Sequence, residues 1–573
     1  MPRTKFRYYF RCVAVAEKKG QAQILCPVTL YRARHNTMPS PKHPVRKLTI
    51  IAQDPAIRVA GEILTAQVDV PGEDLLPGPR GARVQVIDYD ASIARLAPPA
   101  RLPAAKDRFA TASSSQLIAC PAFHAQNVYA IAMRTLARFE FALGRRVGWG
   151  FSGHQLQIAP HAFAGPNAFY SPRDRTLAFG YFPGQSGTVF TCLSHDIVAH
   201  ETVHALLDGL RRRYRDASSP DQAAFHEGFS DIAALLCVFS LPGVVVQLIG
   251  SRRVPVAALQ EDALRQSVLF GLAEQMGSEL AGVRGCPLRR SVELAASPRW
   301  LNDAEFQAPH RRGEILVAAV MNSFLEIWVR RLRSLGRDHV DRERVAEEAA
   351  TTSSHLLTIC IRGLDYAPPT DIMFSDFLSA ILTADCEIQP DDSRYHYRRS
   401  LLKNFASYGI RPTSAGDHGA WEPPGDTFLT KRTHLESLQR SPEEVFGFLW
   451  QNRSTLGLYQ DAYTAVQSVR PCSRIAPDGF LLRETVAEYV QTIKLRAAEL
   501  RKLKIRTPSG MPPGHEVTLY GGGALIFDEF GQLKFHARNR IDNARRQTAR
   551  LSYMWEQPHR DFAEIHRLRG GLP

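Results

Sequence analysis

The residue pattern that most directly indicates chemistry is His200-Glu201-Thr202-Val203-His204, an HExxH sequence. On a helix, residues four apart share one face, so His200 and His204 can both direct an imidazole at one ion. Glu201 lies about 100° round the same helix, close enough to a metal-bound water to take its proton. The pattern therefore predicts a metal site with an adjacent general base.

A second polar block, Glu227-Gly228-Phe229-Ser230-Asp231, follows and reads ExxSD. A third ligand on a nearby helix leaves one position of a tetrahedral zinc open, as catalytic zinc requires. Glu227 is the candidate for this ligand. Asp231, one turn beyond it, can orient a zinc-bound histidine from behind. We expect one zinc ion.

Two helices must position these side chains, and both begin with recognisable signals. Ser194 is a plausible N-cap for the first, and Ser219-Pro220-Asp221-Gln222 combines an N-cap, a proline at the first helical position and a capping-box glutamine. The plainer interpretation is a surface helix that carries two histidines. An apolar stripe argues against it: Ile197, Val198, Val203, Leu206, Leu207 and Leu210. Burying several acid and imidazole groups together in a core costs free energy unless they bind a partner such as a metal ion.

The two blocks resemble the thermolysin-like gluzincins, which pair HExxH with a glutamate ligand on a following helix in an ExxSD context. The resemblance covers roughly residues 120–410. It implies that His200, His204 and Glu227 are zinc ligands and that Glu201 is the general base. It also implies that Asp231 supports His200 and that Asp208 is a partner near His204.

Other segments extend the resemblance. Asn167-Ala168-Phe169-Tyr170 is similar to the family's substrate-binding edge strand, in which the Asn side chain and the Ala carbonyl hold the substrate backbone. His310, in a loop before the next helix, would be the transition-state histidine. Arg290 would bind the substrate carbonyl, with Arg289 as an alternative, and the Tyr214 hydroxyl would assist His310.

The sequence also departs from the family. Asp196 occupies a position that is a calcium ligand in thermolysin, but Val238 stands where the partner glutamate would be. Calcium needs six or more oxygen ligands. We therefore expect no structural calcium.

The 573 residues are enough for three or four domains. We expect an α+β fold: a thermolysin-like catalytic unit with a β-rich lobe, a helical lobe and the zinc helix between them. The predicted divisions are a β-rich N-terminal domain at 1–105, the metallopeptidase domain at 106–412 and an α+β C-terminal extension of unknown role at 413–573.

Local patterns predict the elements within these blocks. Short β-type runs occur at 47–51, 63–68 and 82–87, and a helix is expected from Asn127 to Leu143. A strand at 176–182 should pair with the Asn167 segment through a turn at 172–175. The remaining expectations are helices at 262–281, 313–335, 342–362, 373–384, 442–451 and 484–503, and a hairpin over 524–537.

Composition and local sequence indicate the cellular compartment and the classes of partner that we expect. The nine cysteines are scattered, and no CxxC occurs, so neither a disulfide framework nor a cysteine zinc knuckle is indicated. The N-terminus lacks the apolar core of a secretory signal, and no run of eighteen apolar residues appears. We expect a cytoplasmic protein without a membrane partner. The net charge of +14 is spread along the chain without a nucleic-acid-binding motif, which disfavours nucleic acid.

Together these features predict a zinc-dependent endopeptidase of narrow or regulated specificity, acting on a protein or peptide. A regulatory protein that binds the N- or C-terminal domain is left open. The alternatives are an aminopeptidase of the same zinc clan, a catalytically silent binding protein, and a protease effector or toxin of a bacterial defence or competition system. The intact Glu201 disfavours the silent protein, and the absence of a Gly-x-Met-Glu-Asn type segment disfavours the aminopeptidase.

Overall fold

The computed structural model describes residues 45–103, 106–184, 187–249, 252–255, 259–261, 293–335, 338–425, 428–429, 433–475, 479 and 481–556. The structure mixes helix and sheet, at 44% and 24% of the described residues, which confirms the predicted α+β class at this coarse level. The helix expected at 262–281 and the candidate residue Arg290 lie outside the described residues.

The strands of the described residues are numbered in chain order. They are β1 (Val45–Ile51), β2 (Arg58–Val59), β3 (Glu62–Ile63), β4 (Thr65–Pro71), β5 (Val84–Val86), β6 (Tyr89–Asp90), β7 (Arg95–Leu96), β8 (Leu156–Ala164), β9 (Ala168–Ser171), β10 (Thr176–Gly184), β11 (Gly187–Phe190), β12 (Arg253–Pro255), β13 (His339–Asp341), β14 (Tyr463–Ile475), β15 (Leu481–Arg496), β16 (Glu516–Phe527) and β17 (Leu533–Asn539).

The α-helices of the described residues are numbered in the same way. They are α1 (Ser114–Ala119), α2 (Pro121–Leu143), α3 (His195–Leu210), α4 (Pro220–Phe239), α5 (Pro242–Ile249), α6 (Pro309–Arg333), α7 (Arg342–Gly363), α8 (Phe374–Ile388), α9 (Tyr397–Ser407), α10 (Leu435–Leu438), α11 (Pro442–Gln451) and α12 (Ala544–Glu556).

A mixed five-stranded sheet supplies the strand-rich side of the candidate site. Its order is β11-β10-β8-β5, with β9 paired to the first half of β10. Strands β5, β8 and β10 run parallel, whereas β9 and β11 are antiparallel to β10. Ala168 lies opposite Phe179 and Ser171 opposite Thr176, which confirms the predicted pairing of the Asn167 segment. The turn closes through Arg175, which has φ of +59°.

A helical layer supplies the other side. Helix α4 packs against α3, α6 and α7, while α3 also contacts β9, so α3 lies between the sheet and the helical layer. The helices expected at 313–335, 342–362 and 373–384 correspond to α6, α7 and α8 and are confirmed. Apolar side chains from both layers form one continuous core.

The C-terminal region contains a four-stranded antiparallel sheet in the order β14-β15-β16-β17. The hairpin predicted over 524–537 is confirmed by the pairing of β16 with β17. The helix predicted at 484–503 is wrong, because most of this segment is the long strand β15. Residues 484–491 are buried without interruption. A strand covered on both faces loses the apolar–polar alternation that identifies strands, and its apolar run then resembles a helical face.

Contacts cross both predicted domain boundaries. Strand β5, from the block predicted as an N-terminal domain, pairs with β8. Arg474 on β14 forms a buried ion pair with Asp365, which follows α7. The boundaries at 105 and 412 themselves stay predictions.

Within the described part of the chain, no single helix is both long and apolar enough to cross a membrane. Helices α4 and α5 reach that length and composition only together, as a pair bent by 70°.

Candidate metal centre

Helix α3 carries both histidines of the HExxH sequence and is buried along almost its whole length. Ser194 occupies the N-cap position as predicted, but its hydroxyl donates to Asp196 Oδ1 at 2.5 Å instead of accepting a backbone N–H. The same oxygen accepts from the Ile197 backbone N–H at 2.9 Å. The carboxyl group of Asp196 therefore takes the capping role.

Three ligand atoms from two helices come together at the centre of the site. His200 Nε2 lies 3.4 Å, and His204 Nε2 3.9 Å, from Glu227 Oε2. The three residues are 4%, 1% and 2% exposed, and their ligand atoms all lie within 4.8 Å of one another. Zinc bonds of about 2.0–2.2 Å at tetrahedral angles place neighbouring ligand atoms about 3.3–3.6 Å apart. The three side chains are therefore close enough to bind one metal ion.

Helix α4 begins as its sequence predicts, with one exception. The Ser219 hydroxyl accepts from the Gln222 backbone N–H at 3.1 Å, and Pro220 is the first helical residue. The Gln222 side chain, predicted to complete a capping box, instead accepts from the Ile372 N–H and donates to the Arg213 carbonyl, both at 3.0 Å. It joins α4 to the turn after α3 and to the segment before α8, contacts that tertiary packing decides.

Two glycines allow α4 and α6 to touch beside the ligands. A Cβ on Gly228 would lie 2.9 Å from the Gly313 carbonyl oxygen and 3.2 Å from Gly313 Cα. Because these are backbone atoms, they cannot move aside as a flexible side chain would. Because neither glycine has a side chain, the two helices can pack backbone to backbone here. The beginning of α6 therefore lies close to Glu227.

His310 reaches the cluster from the first turn of α6, with Nδ1 3.1 Å from Glu227 Oε2. The prediction that His310 lies in a loop before the helix is wrong, because α6 begins at Pro309, which has the φ that a first helical residue needs. The His310 side chain is 38% exposed. It is thus the polar group of the cluster that extends furthest towards solvent.

The second nitrogen of each ligand histidine also has a defined neighbour. His200 Nδ1 donates to Asp231 Oδ1 at 2.7 Å, so in the neutral ring Nε2, which faces Glu227, is the lone-pair nitrogen. His204 Nδ1 lies 3.1 Å from Ser230 Oγ and 3.4 Å from His226 Nδ1. Neither Ser230 nor His226 was predicted to have a role. Ser230 lies within the ExxSD block itself, whereas no spacing signal identified His226.

Electrostatics couple these groups. Burial alone lowers the pKa of His200, but the Asp231 carboxylate, with smaller contributions from Glu227 and Glu201, outweighs burial and raises this pKa to about 10. His200 is therefore protonated at neutral pH in the metal-free protein. Metal binding must release that proton. Glu201 itself is fully buried beside His200 on α3.

Strand β9 lies at an edge of the five-stranded sheet, since among the described strands only β10 pairs with it. The Asn167 carbonyl accepts from Gly180 N–H, and its side-chain oxygen accepts from Ala168 N–H, both at 2.8 Å. The Tyr170 hydroxyl donates to Asp208 Oδ2 at 2.9 Å. Asp208, on the last turn of α3, thus links the edge strand to the helix of the two histidines.

The remaining sequence candidates are placed as follows. The Tyr214 hydroxyl donates to the Pro368 carbonyl at 2.7 Å, and the Tyr214 ring packs against Phe225. The hydroxyl hydrogen of Tyr214 is therefore bonded to the backbone before α8. Asp208 also lies 3.5 Å from Arg215. Arg290 is outside the described residues.

The expectation about calcium remains a prediction. Asp196 is fully buried, and Val238 is buried in the core on α4.

No protein-family model matches this chain, and no curated protein is significantly similar to it.

Proposed function

We propose that this protein is a zinc-dependent endopeptidase, a divergent relative of the thermolysin-like gluzincins. The observation that carries the proposal is the buried convergence of His200, His204 and Glu227, with Glu201 on the same helix as the histidines. The arrangement of a sheet edge on one side of α3 and a helical layer on the other is consistent with the two lobes of that family.

The chemistry of the donor set fits zinc. Two neutral imidazoles and one carboxylate are a common catalytic ligand set, with a fourth position left for water or substrate. When bound there, zinc supplies Lewis acidity and lowers the pKa of a coordinated water towards about 7.

Each residue of the chain then has a defined task. The Glu201 carboxylate accepts a proton from the attacking water and delivers it to the leaving amine, a role typically worth about 10²–10⁴ in rate. Asp231 holds His200 in the tautomer that leaves Nε2 unprotonated. His310, beside Glu227 and partly exposed, donates a hydrogen bond to the oxyanion that forms on the substrate carbonyl.

The edge strand favours an endopeptidase over an aminopeptidase. An extended peptide can add to β9 as a further strand, with main-chain hydrogen bonds that do not require a free substrate amine. We propose a protein or peptide substrate that passes across Asn167 and Ala168. A narrow substrate range fits a site whose ligands and base are this deeply buried.

The decisive experiment compares the wild type with Glu201→Gln. We expect Glu201→Gln to keep its zinc, measured by elemental analysis, and to lose hydrolysis of an internally quenched, N-terminally blocked peptide library by a factor of about 10²–10⁴. The exposed Glu436 provides a matched control, and Glu436→Gln should retain both zinc and activity. Undiminished hydrolysis by zinc-loaded Glu201→Gln would contradict the assignment. Wild-type activity confined to peptides with a free N-terminus would favour the aminopeptidase.

A further inference from the structure

A second group of side chains that could hold a metal ion lies at the entry to α3. It consists of His124 on α2, His161 on β8 and Cys192 in the short turn Thr191–Leu193. Their candidate ligand atoms lie within 4.8 Å of one another. His124 and Cys192 are buried, and the His161 side chain is 14% exposed. None of the three belongs to the cluster around Glu227.

The outer nitrogen of each histidine is committed as a hydrogen-bond donor. His124 Nε2 lies 2.8 Å from the Ile118 carbonyl oxygen, which can only accept, so this nitrogen carries a hydrogen. His161 Nδ1 lies 2.9 and 3.0 Å from the two carboxylate oxygens of Asp88, which likewise accept. In the neutral form of each ring, the inner nitrogen must then be the lone-pair nitrogen.

These two inner nitrogens face each other. His124 Nδ1 and His161 Nε2 are 2.8 Å apart. Two lone pairs at that distance repel unless a cation lies between them. The cation is either a shared proton, which makes one ring an imidazolium, or a metal ion that both nitrogens bind.

Cys192 favours the metal ion. A thiol adds little to a proton shared by two imidazoles, but it completes a set of two nitrogens and one sulfur, which suits zinc and other thiophilic ions. Metal-bound histidines almost always donate their other ring nitrogen to a carboxylate or a backbone carbonyl. Asp88 and Ile118 provide one acceptor of each kind.

The surroundings hold the three side chains in place. Phe190 packs edge-on against both imidazoles, with ring centroids 4.8 and 5.2 Å away. The Asn127 side chain donates to the Cys192 carbonyl at 3.0 Å and accepts from the Ile51 N–H at 2.9 Å, which fixes the backbone of the turn.

Tetrahedral zinc would set His124 Nδ1 and His161 Nε2 about 3.3 Å apart. Metal entry therefore requires these two nitrogens to separate by about 0.5 Å.

We propose that His124, His161 and Cys192 form a second metal site, which takes a thiophilic divalent ion of the zinc class. Because Cys192 is two residues before the N-cap of α3, the bound ion ties α2 and β8 to the beginning of the helix that carries His200 and His204. The inference does not depend on the proposed peptidase activity.

Zinc stoichiometry of the full-length protein tests the proposal. We expect two zinc ions per chain in the wild type, one in Cys192→Ser and two in the matched control Cys360→Ser, whose cysteine is equally buried but lies on α7. His200→Ala should also lose one ion but keep the sulfur-ligated one. X-ray absorption of the wild type should show zinc–sulfur scattering at about 2.3 Å.

Cobalt substitution keeps the test decisive if Cys192→Ser does not fold. Among the described residues, Cys192 is the only cysteine in a group that could hold a metal ion, so a thiolate-to-cobalt charge-transfer band in the wild type and in His200→Ala reports this site. We expect this band in both proteins and in Cys360→Ser. A wild type that holds one zinc ion, without sulfur scattering and without the cobalt band, would overturn the proposal and assign the pair a shared proton.

Discussion

Asp365 joins the C-terminal sheet to the helical layer through two buried arginines. Arg145, which follows α2, binds it through Nη1 and Nη2, both at 2.6 Å, and Arg474 on β14 pairs with one of the same oxygens. All three side chains are at least nine-tenths buried. Burial raises the pKa of Asp365, but Arg145 and Arg474 outweigh it and hold this pKa well below its usual range. Asp365→Asn therefore removes a charge that balances two cations.

The expected loss of stability depends on which ion-pair partners remain after each substitution. Removal of one member of a buried ion pair typically costs about 3–5 kcal/mol in the free energy of unfolding. Asp365→Asn leaves Arg145 and Arg474 facing each other without their shared carboxylate, so we expect the upper end, about 5 kcal/mol. Arg474→Met should cost less in the free energy of unfolding, about 3 kcal/mol, because Asp365 still pairs with Arg145. Glu484, the other partner of Arg474, keeps Lys534 at 2.8 Å.

Urea unfolding of the full-length protein at pH 7 measures these differences. Asp69→Asn breaks the exposed pair of Lys47 and Asp69, whose side chains are 72% and 62% exposed, and should change stability little. Since the folded-state pKa of Asp365 is depressed, its contribution is present above its unfolded pKa of about 3.9 and is lost as pH falls below that value. A larger loss of stability in Arg474→Met than in Asp365→Asn would contradict this prediction, and so would an Asp365→Asn variant as stable as Asp69→Asn.

Three further predictions concern the region of α3 and α4. Asp231→Asn should weaken zinc binding about 10- to 100-fold in chelator competition, since it removes the carboxylate behind His200; unchanged affinity would contradict that role. Gly228→Ala should push α4 away from α6, lower the free energy of unfolding in urea by about 1–3 kcal/mol and weaken zinc binding. In the control Gly243→Ala, the added Cβ meets no atom within 4 Å, so both stability and zinc affinity should stay unchanged. Burial raises the pKa of Asp196 to about 7, so its stabilising protonated form is lost as pH rises from about 4 through 7. Asp196→Asn should therefore be more stable than the wild type at pH 8, by up to about 4 kcal/mol, and a less stable variant would refute this sign.

Two corrections show where local sequence patterns mislead. The segment after Glu484 has helical spacing of apolar residues, yet it is the strand β15 because β14 and β16 flank it and both of its faces are covered. Gln222 has the spacing of a capping box, yet its amide bonds to Ile372 and Arg213. In both cases partners distant in sequence compete with the local pattern, and the closer packing they provide decides the conformation.

The sequence by itself determined which side chains α3 and α4 present together, because the helical repeat places residues three and four apart on one face whatever surrounds them. Hence His200 with His204, and Glu227 with Asp231, could be assigned before any fold was known. Only the tertiary structure decided that α4 and α6 cross at two bare glycines, which brings His310 to Glu227.

The tertiary structure alone also gathered His124, His161 and Cys192 from a helix, a strand and a turn. These contacts join residues tens of positions apart. No backbone periodicity relates these residues, so their meeting depends on how the layers pack.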